Sequence, residues 1–264
     1  MFVAPITPIL VVAALIGRTT QPETVLAARR VEHTLILDQV YLNGQGPFRM
    51  MVDSGNESSL LRPEVARRLG LHPAYAVERI TASGISKVPA AVLDQVRTGD
   101  TTDREVEALI APVSWAGVDG VLGQSWLAHH DYLLDYRHHS LILDGAAPAT
   151  GVRMALREGT ALPVIGAEVD GRRCDMIVDS GASALVLFET SARDAASAGA
   201  GVLTSAGSAR GEQSAVRLRL GDSFHRSVAA VRVESRELRA GLLPASEFSA
   251  VYVSTRRHVA VLVR

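Results

Sequence analysis

The chain says nearly the same thing twice: Phe48 to Leu61 reads FRMMVDSGNESSLL, and Cys174 to Leu187 reads CDMIVDSGASALVL. Each is an apolar run of strand character that ends in Asp-Ser-Gly. The carboxylate stands where the strand stops, the serine after it can donate and accept a hydrogen bond, and the glycine permits a sharp turn. An isolated Asp-Ser-Gly is ordinarily just a turn, because Asp and Ser bond nearby backbone. Two of them in one frame point instead to two carboxylates brought together.

The frame extends beyond the motif. Asp179 follows Asp53 by 126 positions, and at that offset Cys174 falls on Phe48, Met176 on Met50 and Glu189 on Pro63. Thr34 to Leu42 reads as a strand, Asn43-Gly44 as a hairpin turn and Phe48 to Val52 as the returning strand. Asp170-Gly171 occupies the corresponding place in the second half, one residue closer to its Asp. Pro63, Glu64, Arg67 and Arg68, with Gly70 as the stop, predict a short helix. Glu189 to Ala198, ended by Gly199, predicts its counterpart. Gly241 to Phe248 (GLLPASEF) echoes Gly120 to Leu127 (GVLGQSWL), and Val251 to Val263 echoes the closing strands of Tyr132 to Leu143.

The repeat is therefore a lobe, and the expected fold is mainly β and two-lobed. Residues 31–144 form the N-terminal lobe and 152–264 the C-terminal lobe. Residues 145–151 link them, within the aperiodic DGAAPATG. Val77 to Gly99, interrupted by Gly84 and Pro89, reads as a mobile hairpin able to cover a cleft rather than as a core strand. Its candidate tip is Ser83-Gly84, and Gly207 to Gly211 is the candidate in the second lobe.

Composition excludes several classes. With 264 residues, 47% hydrophobic and 21% charged, the chain can bury one large core or two of about 100 to 120 residues each. A net charge of -1 without a long basic run gives no support for a nucleic-acid partner. The lone Cys174 excludes an internal disulfide and a cysteine zinc cage, and its strand position suits a small core residue. His129, His130, Asp131, His138 and His139 cluster in sequence. Adjacent histidines on a strand face opposite ways, so a solvated hairpin rim is expected there and no metal site. His33, His72, His225 and His258 carry no assigned role, and Arg232 to Arg239 reads as a solvent face.

Residues 1–30 form a signal-like or anchor segment. Its apolar run, Ile9 to Gly17, is short for a transmembrane helix and suits a signal core, and Val25-Leu26-Ala27 fits cleavage after Ala27, although no Lys or Arg precedes the run. The expectation is an exported, periplasmic or membrane-tethered protein.

The apolar strand with Asp179 to Ser183 (DSGAS), together with Gly120 to Gly123 (GVLG) followed by LLDYRHHSLIL, resembles the retropepsin-like aspartic proteases, particularly their bacterial members. The resemblance covers essentially Val31 to Arg264, as two copies in one chain. It implies a duplicated retropepsin-like β-barrel with one short helix per lobe, and an aspartic endopeptidase that uses no cofactor. Asp53 and Asp179 would share one proton as the catalytic pair. Gly55 and Gly181 would let the turns approach, and Ser54 and Ser180 would bond across the interface. The partner would be an extended peptide, and the protein a monomer with a pseudo-twofold axis. Three departures stand out: Pro244 replaces Gly123, Ser254 replaces Asp135, and Asn56-Glu57 replaces Ala182-Ser183, which adds a third acid if Glu57 points inward. A catalytically silent peptide-binding or assembly module is the alternative, and pairing of lobes across two chains is a third reading.

Overall fold

The computed structural model describes residues 22–81, 84–189, 199–204 and 207–264. The chain opens with β1 (Thr24–Ala27), β2 (Arg29–Val31), β3 (Thr34–Leu42), β4 (Gln45–Val52), β5 (Ser59–Leu61) and helix α1 (Pro63–Arg68). It continues through β6 (Tyr75–Thr81), β7 (Gly84–Thr98), β8 (Thr101–Ile110), β9 (Gly120–Leu122), helix α2 (Gln124–Leu127), β10 (Tyr132–Asp135) and β11 (Ser140–Leu143). The second half comprises β12 (Val152–Ala155), β13 (Val164–Val169), β14 (Arg172–Asp179), β15 (Leu185–Glu189) and β16 (Gly199–Thr204). It ends with β17 (Gly207–Leu220), β18 (Phe224–Glu234), β19 (Gly241–Pro244), a 3-10 turn (Ala245–Glu247), β20 (Ala250–Ser254) and β21 (Val259–Val263).

The fold is mostly β, and the duplication shows in its topology. One sheet runs β2-β3-β4-β9-β5-β8-β7-β6 and closes on itself through β3–β7. Another runs β13-β14-β19-β15-β18-β17-β16 and closes through β13–β17. Each barrel has the same parallel pairs in the same places, β4 with β9 and β5 with β8 in the first, β14 with β19 and β15 with β18 in the second. A third sheet, β1-β11-β10-β20-β21-β12, takes strands from both halves. Its central pair joins β10 to β20, with Tyr132 opposite Val253. Trp126, Tyr132 and Phe48 are among the largest side chains buried in the core.

Local chemistry explains where expectation and structure part. Helix α1 begins at Pro63, and Gly70 follows it at a positive φ of 68°. Glu189, expected to start the matching helix, is instead the last residue of β15. Proline lacks an N–H and holds φ near -65°, which favours leaving the extended ladder at Pro63. Glu189 has no such block, so the ladder runs on to face Glu234, and its carboxylate pairs with Arg232 on β18. Residues 190–198 lie outside the described residues, and Gly199 opens a strand instead of ending a helix.

Residues 24–30, grouped with the signal-like segment on sequence, contain strand structure: β1 pairs with β11 and buries Leu26 while leaving Val25 exposed. The hairpin expected over Val77 to Gly99 forms from β6 and β7, but the second part of β7 is a core strand in which Ala90, Leu93 and Val96 are buried. Pro89 is tolerated because it precedes the β7–β8 ladder, which begins at Ala90. Gly207 to Gly211 are paired in β17 rather than forming a tip. Residues 82–83 and 205–206, which join the two pairs of strands, lie outside the described residues. Arg232 to Arg239 is not a uniform solvent face, since β18 continues to Glu234 and buries Val233.

Candidate active site

The two Asp-Ser-Gly turns are built alike. Asp53 follows β4 and is held by its N–H to the Leu122 carbonyl of β9 at 3.0 Å. Its Oδ1 accepts the Gly55 N–H at 3.0 Å. Asp179 ends β14, and its Oδ1 accepts the N–H groups of Gly181 at 2.7 Å and Ala182 at 3.1 Å. Each carboxylate thus uses an oxygen to fix its own turn, the local Asx bonding that Asp favours.

The serines then lock one turn to the other. Ser54 N–H donates to Ser180 Oγ at 2.9 Å, and Ser180 N–H to Ser54 Oγ at 3.1 Å. Ser54 Oγ donates onward to the Val178 carbonyl at 2.7 Å, and Ser180 Oγ to the Val52 carbonyl at 2.9 Å. All four bonds are buried and related by the pseudo-twofold. The glycines make room for the approach: a Cβ on Gly55 would stand 2.5 Å from Asp179 Oδ1, and one on Gly181 2.5 Å from Asp53 Oδ2. The structure thus brings Asp53, Ser54, Gly55, Asp179, Ser180 and Gly181 together, with the two carboxyls in hydrogen-bonding reach of one another. Asp53 is 2% exposed and Asp179 5%.

The pair is not electrically symmetric. Burial, and then the charge of Asp53 beside it, push the Asp179 carboxyl well above the ordinary carboxylate range, against the pull of the Gly181 and Ala182 N–H groups. The second donor differs between them: Asn56 Nδ2 donates to Asp53 Oδ2, where in the second lobe the Ala182 N–H donates to Asp179 Oδ1. Asn56 Oδ1 in turn accepts from Arg79 Nη2 on β6 at 3.3 Å. Glu57 is exposed at the cleft rim and is not a third acid on the dyad floor.

Behind the first turn, Gln124 Nε2 donates to the Ser54 carbonyl at 2.9 Å and to the Tyr132 hydroxyl at 3.0 Å. Burial pushes the Tyr132 phenol up, so it stays neutral. Gly123 lets this segment pass close, since a Cβ there would stand 2.5 Å from the Ser58 carbonyl oxygen. The second lobe solves the same problem with proline. Pro244 is buried directly across from Asp179, with φ -59° and ψ 123°, which its ring favours. Gly123 N–H donates to Ser59 Oγ at 3.2 Å. The residue matching Ser59 is Leu185, so the missing proline N–H leaves no hydroxyl unmatched there. Ser254, in place of Asp135, also caps its hairpin by accepting the Arg257 N–H at 3.1 Å.

Several neighbours escaped the sequence reading. His33, in the turn between β2 and β3, is half-buried, with Nε2 3.4 Å from the Gly181 carbonyl and its ring edge-on to Trp115 at 5.0 Å. Burial holds its imidazole below its usual range. No local pattern marks it. Asn56 could have been suspected from its place beside the motif, whereas Arg79 is brought there by the placement of β6. The histidine cluster divides: His138 and His139 are exposed in the turn between β10 and β11 as expected, but 128–131 is a turn after α2, and His130 is buried between Asp103 and Asp144. Cys174 is half-buried against the core, and burial pushes its thiol up.

Two like barrels thus each bring a carboxylate from a glycine turn to a common cleft. Residues 39–126, within the first lobe, match the family model for aspartyl protease. Among solved structures, the retropepsin-like aspartic protease from Rickettsia conorii is similar at 22% identity, over 46% of this chain and 89% of its own, with a TM-score of 0.38. No curated protein matches the chain.

Proposed function

We propose that this protein is an aspartic endopeptidase in which Asp53 and Asp179 act as one site on a peptide held in extended form between the lobes. The observation that carries the reading is the reciprocal Ser54–Ser180 lock, which supports two buried carboxyls facing one cleft within reach of a shared proton. Two carboxyls this close cannot both ionise cheaply, and the environment favours the proton on Asp179. Asp53, held by Gly55 and Asn56, then takes a proton from a water as its oxygen attacks the scissile carbonyl. Asp179 gives its proton to the carbonyl oxygen, forming a gem-diol. Asp53 then passes the proton it took to the amide nitrogen while Asp179 recovers one from a gem-diol hydroxyl, and cleavage of the C–N bond completes hydrolysis. The apolar cleft wall, which includes Leu109, Ile177, Phe188 and Leu242, would take side chains of the peptide, while strand edges pair its backbone.

The test is digestion of an unbiased peptide library between about pH 3 and 8, the span over which a dyad titrates, with the parent chain, Asp53→Asn and Asp179→Asn. Cleavage by the parent and by neither folded variant is expected. Cleavage surviving either change sinks the shared dyad. A parent that binds peptides but never cleaves them would be the silent module, and activity that requires a concentration-dependent dimer would place the site between chains.

A further inference from the structure

Arg79 is unusual for where it sits. Along β6, Val77, Arg79 and Thr81 share the less exposed face, while Glu78 and Ile80 are exposed. That puts a guanidinium in the cleft of about 300 Å³ above the two carboxyls, beside Leu109, Leu162 and Ile177. Burial lowers its pKa, which the charge of Asp53 partly offsets. Among the described residues it makes no ion pair. Its one hydrogen bond is the Nη2 contact to the Asn56 amide at 3.3 Å, although a guanidinium carries five donors. Asp53 is near enough for its charge to be felt but forms no ion pair with Arg79, its Oδ1 and Oδ2 accepting instead from Gly55 N–H and Asn56 Nδ2. Glu57 and Glu78 reach the same cleft but form no ion pair with it. A half-desolvated cation without a carboxylate is an unmet demand, and guanidinium meets carboxylate in a planar, two-bond geometry.

We propose that Arg79 is a specificity residue that binds a carboxylate of the peptide in the cleft. The inference rests on the endopeptidase reading for its substrate and names the class: acidic peptides. Arg79 is linked to the dyad through the single side chain of Asn56. At about 3.3 Å per residue of extended peptide, the recognised carboxylate therefore lies within about two residues of the bond cleaved. Its source is an acidic side chain or the peptide's own C-terminus.

The experiment uses matched peptides that differ only by Glu or Gln at each position around the cleaved bond, made with free and amidated C-termini. The parent chain should prefer Glu over Gln by about tenfold or more at one nearby position. Arg79→Leu should bring that ratio close to one, Arg79→Lys should keep part of it, and Arg79→Glu should turn it towards a basic residue. Preference for the free over the amidated terminus, lost in Arg79→Leu, would assign the carboxylate to the chain end. If Arg79 only braced Asn56, all peptides would slow together and the ratio would not move. A parent ratio near one, or a ratio unchanged in Arg79→Leu, overturns the proposal. Binding of the same peptides to Asp179→Asn, read by fluorescence anisotropy, separates the two readings. A Glu preference in binding that depends on Arg79, with no cleavage by the parent, would overturn the endopeptidase and keep the Arg79 site. Cleavage without the preference would do the reverse, and neither binding nor cleavage overturns both.

Discussion

At the scale of single residues, Asp179 is placed where ionisation is opposed twice, by loss of water and by Asp53. Its folded pKa lies above the ordinary 3.8. The stability it contributes is therefore fully present below that value and lost as pH rises through the raised one. Near neutral pH the carboxyl is therefore a burden on the fold. Asp179→Asn keeps an oxygen for the Gly181 and Ala182 N–H groups, so it is expected to abolish cleavage while raising Tm at about pH 7, a gain that fades near pH 3.5. Thermal unfolding of parent and variant at both pH values checks this, and a variant less stable at both would contradict it. If the pair hydrolyses peptides as proposed, the same raised value is expected to set the alkaline limb of kcat/KM above the ordinary carboxylate range of about 4. Asp53, Ser54, Gly55 and their second-lobe partners were legible because each turn is contiguous in the chain. His33 and Arg79 were not, because what makes them neighbours of the site is strand placement and not local spacing.

At the scale of elements, neither turn is complete alone. Ser54→Ala removes a donor to the Val178 carbonyl and the acceptor of the Ser180 N–H, leaving both buried and unmet. It is expected to cost about 2 kcal/mol or more, and to lower kcat more than it raises KM, because the carboxyls lose their mutual alignment. The Ser54→Ala, Ser180→Ala double variant should cost less than the two single changes together, since the first already loosens the interface that the second serves. Urea denaturation of the three variants measures this, and strict additivity would mean that the turns are independent. The second lobe shows why a residue-by-residue match is incomplete: Pro244 stands where the first lobe has Gly123, and Leu185 removes the hydroxyl that Gly123 N–H serves. Strand β1 was hidden for a different reason, since the longer apolar run before it dominated the reading of residues 1–30. A chain beginning at Arg29 loses the β1–β11 ladder and the burial of Leu26, and is expected to be less stable by about 2 kcal/mol. Equal stability of the two chains would show β1 to be dispensable.

At the scale of the whole molecule, the halves are joined by more than the dyad. The sheet through β10 and β20 crosses between them, and a polar cluster sits at its edge. Asp131 accepts from Ser254 Oγ at 2.7 Å and Tyr252 Oη at 3.2 Å, both from the second half. Asp144 accepts from Arg256 Nη2 at 2.7 Å and from His130 Nδ1 at 2.7 Å. His130 Nε2 reaches Asp103 Oδ2 at 3.0 Å, where Trp126 Nε1 also donates at 2.7 Å. With both ring nitrogens on carboxylates, His130 is an imidazolium donating twice. Burial lowers its pKa, but Asp103 and Asp144 outweigh that and leave it raised above 6.5. Burial likewise raises Asp103, and the bonds from His130 and Trp126 outweigh it and leave the carboxyl below 3.8. The His130 contribution is thus full below pH 6.5 and lost as pH rises through the raised value, whereas that of Asp103 is full above pH 3.8 and lost as pH falls through the lowered one. Both are present between the two limits. His130→Ala leaves two buried carboxylates short of a partner, with Arg256 and Trp126 still attached, so a loss of about 3 kcal/mol is expected at pH 5. The loss should shrink towards pH 9, as the parent imidazole gives up its charge. Urea unfolding of parent and variant at the two pH values decides it. An equal loss at both would reduce His130 to a neutral packing residue, and the cluster would then tie the lobes by shape rather than by charge.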